Sequence, residues 1–368
     1  MTDEKTPTPN LPPMFTPFIL RGMTVANRVV MSPMCMYAST DGLISDFQIV
    51  HIGSRAMGGA GLVMTEMTDV EPEGRISPSC AGLWSEQHAE AWKRVVDFVH
   101  EQTDAKIGIQ LAHAGRKGSL PRSWERGGDG LGSDGWQVIG PTDAPFSPTS
   151  PKPRAMTADD IAALTAKFVY STKLAHAAGF DLIELHMGHG YLLSGFMSPL
   201  SNDRTDAYGG NREKRMRFPL EVLAAVRAAW PDDKPISCRI SAIDWEDGGN
   251  TIEDGIGMSR MLYDGGCDIV DVSSGNVTAE RRPQPKGLFQ TPFSEQIRTA
   301  IGKPTMSVGN IRTAKDVNAI VADSRADLCA IAKGHLYDPY FVRHAAVELG
   351  VPLAWPKRYK PVEAMLKD

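Results

Sequence analysis

The run His186-Met187-Gly188-His189-Gly190-Tyr191 places two imidazoles and a phenol within six residues, directly after the apolar segment 181–185. Two ring N–H groups can hold a carbonyl oxygen or an oxyanion, and a nearby phenol can deliver a proton. That combination suits polarisation of an unsaturated carbonyl compound. Two blander readings stand beside it. A His-x-x-His pair can bind a metal, but no third ligand falls in a recognisable motif and the pair is not part of His-Glu-x-x-His, so no metal is expected. The other is a pair of satisfied core histidines, against which the flanking glycines and the tyrosine argue.

Other segments carry chemistry of a related kind. In Ser32-Pro33-Met34-Cys35-Met36-Tyr37 a cysteine follows a proline at the end of an apolar run. A lone cysteine is usually a small buried hydrophobe, but a sulfur placed there could tune a cofactor's redox potential, and the Tyr37 hydroxyl could point the same way. Gln110 is an amide inside the apolar run 106–111, and its burial demands partners for both oxygen and nitrogen. The alternating donors and acceptors of a flavin pyrimidine ring would suit it. Arg239, inside 236–241, is costly in a buried strand unless it faces a negative partner. An anionic reduced flavin is one such partner, an internal ion pair the alternative. The segments ending in Gly309-Asn310 and Ala332-Lys333 follow late strands, where backbone N–H groups often bind phosphate.

These residues share one kind of position. Short apolar runs recur at 28–32, 61–66, 106–111, 181–186, 236–241, 268–273, 304–309 and 327–332. Several are continuous rather than alternating, as parallel strands buried on both faces require. Eight such strands close a (β/α)8 TIM barrel, whose ligands bind at the strands' C-terminal ends. Helices between them carry capping boxes at Thr157, Thr251 and Thr313, and Trp92, Val95, Val96 and Val99 form an apolar stripe. The segment 116–153 breaks the rhythm with Gly, Pro, Ser and Asp. Its Trp124, Trp136 and Phe146 favour a folded excursion over the barrel mouth. A single α/β domain is expected over 15–350, with a flexible N-terminal arm at 1–14 and a tail at 351–368.

Composition narrows the class. The net charge of −5, without a basic stripe or tail, argues against a nucleic-acid partner. No apolar stretch approaches a membrane span, and the first dozen residues lack a signal-peptide core. Five cysteines (Cys35, Cys80, Cys238, Cys267, Cys329) are an odd number without a Cys-x-x-Cys pair, which is neither a disulfide framework nor an iron–sulfur signature. A cytoplasmic location is expected.

Taken together, Ser32-Pro33-Met34-Cys35-Met36-Tyr37, the segment 109–115 and the segments 189–193 and 196–210 resemble the Old Yellow Enzyme family of FMN-dependent ene-reductases, particularly its cysteine-containing, thermophilic-like class. The resemblance runs in order from about Phe15 to Phe341. It implies non-covalent FMN, reduced by NADPH or NADH. His186 and His189 would hold a substrate carbonyl oxygen and Tyr191 would be the proton donor, with Cys35 modulating the flavin and Tyr37 assisting. Ser32, Pro33, Met34 and Met67 would lie along the isoalloxazine, Gln110 at its pyrimidine edge and Arg239 near N1 and O2. Gly309, Asn310, Ala332 and Lys333 would surround the phosphate.

Several departures from the family pattern matter. Ala332-Lys333 stands where Gly-Arg is common, so a guanidinium fork is lost while the charge is kept. Met67 replaces a residue that is often small. Ser194-Gly195 replaces a bulkier His-Gln, which would open the pocket. The segment 356–361 lacks the arginine that relatives of this class insert into a neighbour's site, so a homo-oligomer is allowed but a shared site is not expected. The run 325–336 is closer to the reductase halves of aromatic acyl-CoA hydroxylases, although the FAD monooxygenase domain that those halves follow is not expected in this chain. The alternative to a simple enone is therefore an aromatic or unsaturated acyl-CoA thioester.

Overall fold

The computed structural model describes residues 11–125, 130–280 and 286–365. Among these, eight parallel strands pair in chain order and close on themselves: β1 Val29–Met31, β2 Leu62–Asp69, β3 Lys106–Ala112, β4 Leu182–Met187, β5 Ile236–Ser241, β6 Ile269–Ser273, β7 Thr305–Val308 and β8 Leu328–Ile331. The ring is sealed by the pairing of Val30 with Leu62 and of Ala330 with Val30. Every expected apolar run supplies one strand. They are buried on both faces, inward against one another and outward against helices, which is why their sequences do not alternate.

Helices pack around the ring at α1 Asp46–Met57, α2 Glu86–Gln102, α3 Ala158–Ala178, α4 Arg217–Ala229, α5 Ile252–Asp264, α6 Thr291–Ile301, α7 Ala314–Ala322 and α8 Phe341–Glu348. Local chemistry sets their ends. Thr157, Thr251 and Thr313 form reciprocal capping boxes with Asp160, Asp254 and Asp316, and Gly179 stops α3 at φ +93°. Trp92, Val95, Val96 and Val99 turn one face of α2 into the core.

The two ends of the barrel differ. An antiparallel pair, Phe18–Leu20 with Met23–Val25, plugs the N-terminal end with Leu20, Met23 and Val25 against Val30, Leu62, Leu182 and Leu328. The expected flexible arm is instead packed where it is described. Met14 is fully buried, its N–H bonded to Asn318 at 2.9 Å, and Leu11 lies against the same cluster, because the apolar side of α7 needs a cover. Residues 1–10 lie outside the described residues. At the C-terminal end, long βα loops gather. Among the described residues nine non-glycines have positive φ; Arg21 and Ser324 lie at the bottom, whereas Tyr37, Asp41, Ser119, His189, Trp245, Asn276 and Asn310 lie in loops following barrel strands. Backbone held in that region collects at functional sites. The excursion after β3 reaches this end: Trp124 meets Tyr37 edge-on at 5.6 Å, and Arg116 bonds Val277 O at 2.6 Å. Its residues 126–129 lie outside the described residues.

Candidate active site

Strand β4 delivers the imidazole pair. Its chain turns through Gly188, His189 at φ +62° and Gly190 at φ +70°, then enters the short helix Leu192–Met197 with Tyr191 at its N-cap. A side chain at Gly190 would place Cβ 2.6 Å from Asn276 O, so only glycine lets this turn lie against the loop after β6. The rings meet. His186 and His189 are 5.1 Å apart, His186 and Tyr191 5.0 Å, all edge to face.

Hydrogen bonds orient them. The Gly188 N–H donates to His186 Nδ1 at 3.3 Å, which assigns the ring proton to Nε2. His189 is held at its N–H by Ser241 Oγ at 2.8 Å and at Nε2 by Ser273 Oγ at 2.6 Å. Burial pushes both histidines well below the ordinary imidazole range; the charges of Arg239 and Lys117 add to this, and His189 does so for His186. Both rings are therefore neutral. Burial likewise holds the Tyr191 phenol up, with Cys35, Tyr37, Cys80 and Asp69 pushing the same way. It stays protonated.

The loop after β1 brings Cys35 and Tyr37 into one cluster with Met67, Cys80, Ala112 and Tyr191. Burial raises the Cys35 thiol, as do Cys80, Glu66 and Asp69, so the sulfur is a thiol and not a thiolate nucleophile. Ser32 is fully buried, whereas Pro33 and Met34 are half-buried.

Beneath these groups lies a polar layer that the strand register builds. Gln110 sits opposite Glu184, and its Nε2 donates to Glu184 Oε1 at 2.8 Å. The Ser237 hydroxyl donates to the other carboxylate oxygen at 2.7 Å. Arg239 sits opposite Asp271, with Nε 3.3 Å from Oδ2, and donates from Nη1 to Ser32 Oγ at 3.1 Å. The internal ion pair is thus real. Burial, then the charge of Asp271, raises Glu184 to about 7; burial also raises Asp271 against the pull of Arg239.

The late loops are shaped by glycine and glutamine. Gly309 has φ +113°, and a Cβ there would stand 2.7 Å from Gln290 Nε2. Gln290 ties the strand ends, donating to Val308 O and accepting from Ser274 at 2.7 Å, with the Ser273 hydroxyl oxygen 3.2 Å from the same Oε1. Asn310 follows at φ +55°. Ala332, at φ −99° and ψ −87°, opens the short helix Lys333–Tyr337, and Lys333 is exposed.

A family model described as the NADH:flavin oxidoreductase / NADH oxidase family matches residues 13–351. The chain belongs to this family. The NADPH dehydrogenase of Geobacillus thermodenitrificans is 41% identical over 349 residues, covering 94% of this chain and 97% of that protein. Among solved structures, morphinone reductase superposes with a TM-score of 0.76 at 26% identity, over 95% of this chain and 92% of its own. A 2-naphthoyl-CoA reductase complex superposes at 0.82 with 24% identity over 92% of this chain, which spans 52% of that structure; this likeness is one of fold. The resemblance to the Old Yellow Enzyme family stands. The family member is a flavin-dependent oxidoreductase with FMN as cofactor and a nicotinamide dinucleotide as reductant. Among its described residues no helix is long and apolar enough to cross a membrane.

Sequence reasoning missed four residues of this candidate site. Glu184 and Asp271 were hidden inside strands, Ser273 at the end of β6, and Lys117 at the root of the excursion. An acid inside a doubly buried strand was a usable signal, since it demands a partner. Ser194 and Gly195 also have a part in the turn itself. Both residues are buried in the short helix, where Ser194 Oγ accepts the Gly190 N–H at 3.1 Å and steadies the turn that carries His189.

Proposed function

We propose that this flavin oxidoreductase is an NAD(P)H-dependent ene-reductase that reduces the activated C=C bond of α,β-unsaturated carbonyl compounds. The observation that carries the reading is the meeting of two neutral imidazoles and a protonated phenol at the barrel mouth. The chain's own residues suit a flavin. Gln110 uses only its amide nitrogen within the protein, so Oε1 has no bond among the described residues, and Gly309 leaves a cradle that a Cβ would fill. Ser32, Pro33, Met34, Met67, Gln110 and Arg239 would hold the ring system, and Gly309, Asn310, Ala332 and Lys333 the phosphate. When bound, FMN supplies hydride to the substrate's β-carbon.

The protein supplies polarity and alignment. His186 presents Nε2–H. The single Ser273 proton has two acceptors in reach, Gln290 Oε1 at 3.2 Å, which Ser274 already fills at 2.7 Å, and His189 Nε2 at 2.6 Å; given to the nearer, it leaves that ring's proton on Nδ1. Two neutral donors would then grip the carbonyl oxygen and stabilise the negative charge that develops there, without the reorganisation water needs. Tyr191 gives its proton to the α-carbon. Cys35 would meet the flavin as a neutral thiol, with Tyr37 beside it in the same cluster.

Tyr191→Phe tests this reading. Rapid mixing should show reoxidation of the reduced enzyme by cyclohex-2-enone slowed by roughly 10²–10⁴-fold, the usual worth of a general acid. Reduction by NADPH should be nearly unchanged. Equal losses in both half-reactions would remove the proton-donor role. Parallel turnover of enones and of aromatic or unsaturated acyl-CoA thioesters would separate the two substrate classes that offer such an oxygen.

A further inference from the structure

Lys117 ends the short 3-10 turn Gly115–Lys117 that follows β3, and its side chain crosses the mouth. Its Nζ donates to His189 O at 2.8 Å and to Asn276 O at 3.1 Å. The same ammonium lies 5.0 Å from the centroid of the Tyr191 ring and 4.4 Å from that of Phe146. We propose that Lys117 is a positioning residue for proton delivery: it fixes the main chain of His189 and holds positive charge against the ring of Tyr191 as that ring loses its proton. The proposal rests on the reading of Tyr191 as donor.

Two independent lines support it. The first is mechanical. His189 is a non-glycine residue in left-handed backbone, which persists only where its surroundings over-determine it. Ser241 holds its N–H, Ser273 its ring, and Lys117 its carbonyl. The preceding residue, buried Arg116, fastens Val277 of the loop after β6, so the root of the excursion is braced beside the point where Lys117 reaches across.

The second line is electrostatic. The groups facing Tyr191 from the β1 loop are Cys35 and Tyr37, and those from beside β2 are Cys80 and Asp69. All four disfavour a negative charge on the phenol. From β4 comes His186, which is neutral. Lys117, from the β3 loop, is the cation placed over the ring. In the step itself the Tyr191 O–H bond breaks and a new C–H bond forms with the electron pair of the substrate enolate, whose oxygen becomes a carbonyl again. The phenolate left behind takes a proton from water, and no oxidation state changes. A cation over the ring face stabilises that phenolate more than the phenol, and so assists the transition state selectively.

The test uses FMN-loaded protein and both half-reactions, with NADPH as reductant and cyclohex-2-enone as oxidant. Lys117→Met keeps the apolar stem and removes the charge; Lys117→Arg keeps the charge. For Lys117→Met, reoxidation should slow by ~10- to 100-fold, less than loss of a direct oxyanion donor. Its basic pH limb should move to higher pH, because without the cation the phenol ionises later. Reduction by NADPH should stay within about twofold, and Lys117→Arg should recover most of the lost rate. Equal losses in Met and Arg variants with an unmoved pH profile would reduce Lys117 to a strut and overturn the proposal, as would wild-type reoxidation by Lys117→Met. Should Lys117→Met not load FMN, Lys117→Gln is judged by the same criteria. Slow Tyr191→Phe with fast Lys117→Met removes the Lys117 role alone; fast Tyr191→Phe removes the donor reading and this proposal with it.

Discussion

At the bottom of the barrel the strands meet a hairpin through Leu20, Met23 and Val25, side chains with no polar atom to satisfy. Toward the mouth the same strands carry Glu184, Arg239 and Asp271 in their interiors, all buried, with a neutral imidazole pair above them. Both Asp271 oxygens and Arg239 Nε lack a hydrogen bond despite their 3.3 Å approach. Left-handed backbone follows the same division, since seven of the nine such non-glycine residues described lie in the βα loops. Burial of apolar surface stabilises one end at no polar cost, whereas the other end carries desolvated charge that a well-packed apolar residue would avoid. The contrast teaches where stability and chemistry reside. Changes at the mouth should alter rate with little effect on stability, and changes at the bottom should do the reverse.

The largest expected effect breaks the mouth. His186→Ala removes the Nε2–H donor, and the alkene step should slow by roughly 10²–10³-fold, as for loss of one preorganised oxyanion donor. Its thermal midpoint should hardly fall, because among the described residues the imidazole's one hydrogen bond is from the Gly188 N–H. Stopped-flow reoxidation and a melting curve on the same sample check both halves. Leu20→Ala breaks the bottom instead. It should cost about 2–5 kcal/mol by leaving a cavity in the plug, with reoxidation of the surviving folded protein unchanged. A Leu20→Ala enzyme that is stable but slow, or a His186→Ala enzyme that unfolds first, would erase the division between the ends.

This division also sets how far the sequence could be read. The strands were visible because each is a continuous apolar run buried on two faces, and the helix starts because Thr and Asp at capping spacing satisfy end groups locally. The imidazole–phenol run was visible because its three groups lie on one short turn. Glu184 and Asp271 were not. Each acquires meaning from the residue opposite it, Gln110 for one and Arg239 for the other, and that pairing is a matter of register between strands 74 and 32 positions apart. Lys117 was obscured for the same reason, since its tip lands on carbonyls 72 and 159 residues away. The bonding role of Ser194 was hidden as well, since its hydroxyl meets the Gly190 N–H only once the turn has formed.

The smallest expected effect sharpens the comparison from within the polar layer. Burial, then Asp271, raises Glu184 from 4.5 to about 7. Folded protein therefore binds a proton there that unfolded chain has already released across this interval. Where the native state binds more protons, stability falls as pH rises. The contribution is fully present below about 4.5 and is lost as pH climbs through about 7. In FMN-free protein this contribution to the thermal midpoint should thus decline over the window, beside that of Glu66, which burial also raises to about 7. Glu184→Gln keeps the hydrogen bonds to Gln110 and Ser237 within reach but removes the titration, so its midpoint should vary less with pH. The change should be a few degrees at most for a chain of this length, since about 1 kcal/mol shifts the midpoint by only ~2–4 °C in domains of 150–250 residues. A Glu184→Gln protein whose midpoint declines as steeply as the parent's would place the pH response on other buried carboxyls such as Glu66 and leave Glu184 with a purely geometric role, that of holding Gln110 in register for whatever its free amide oxygen meets.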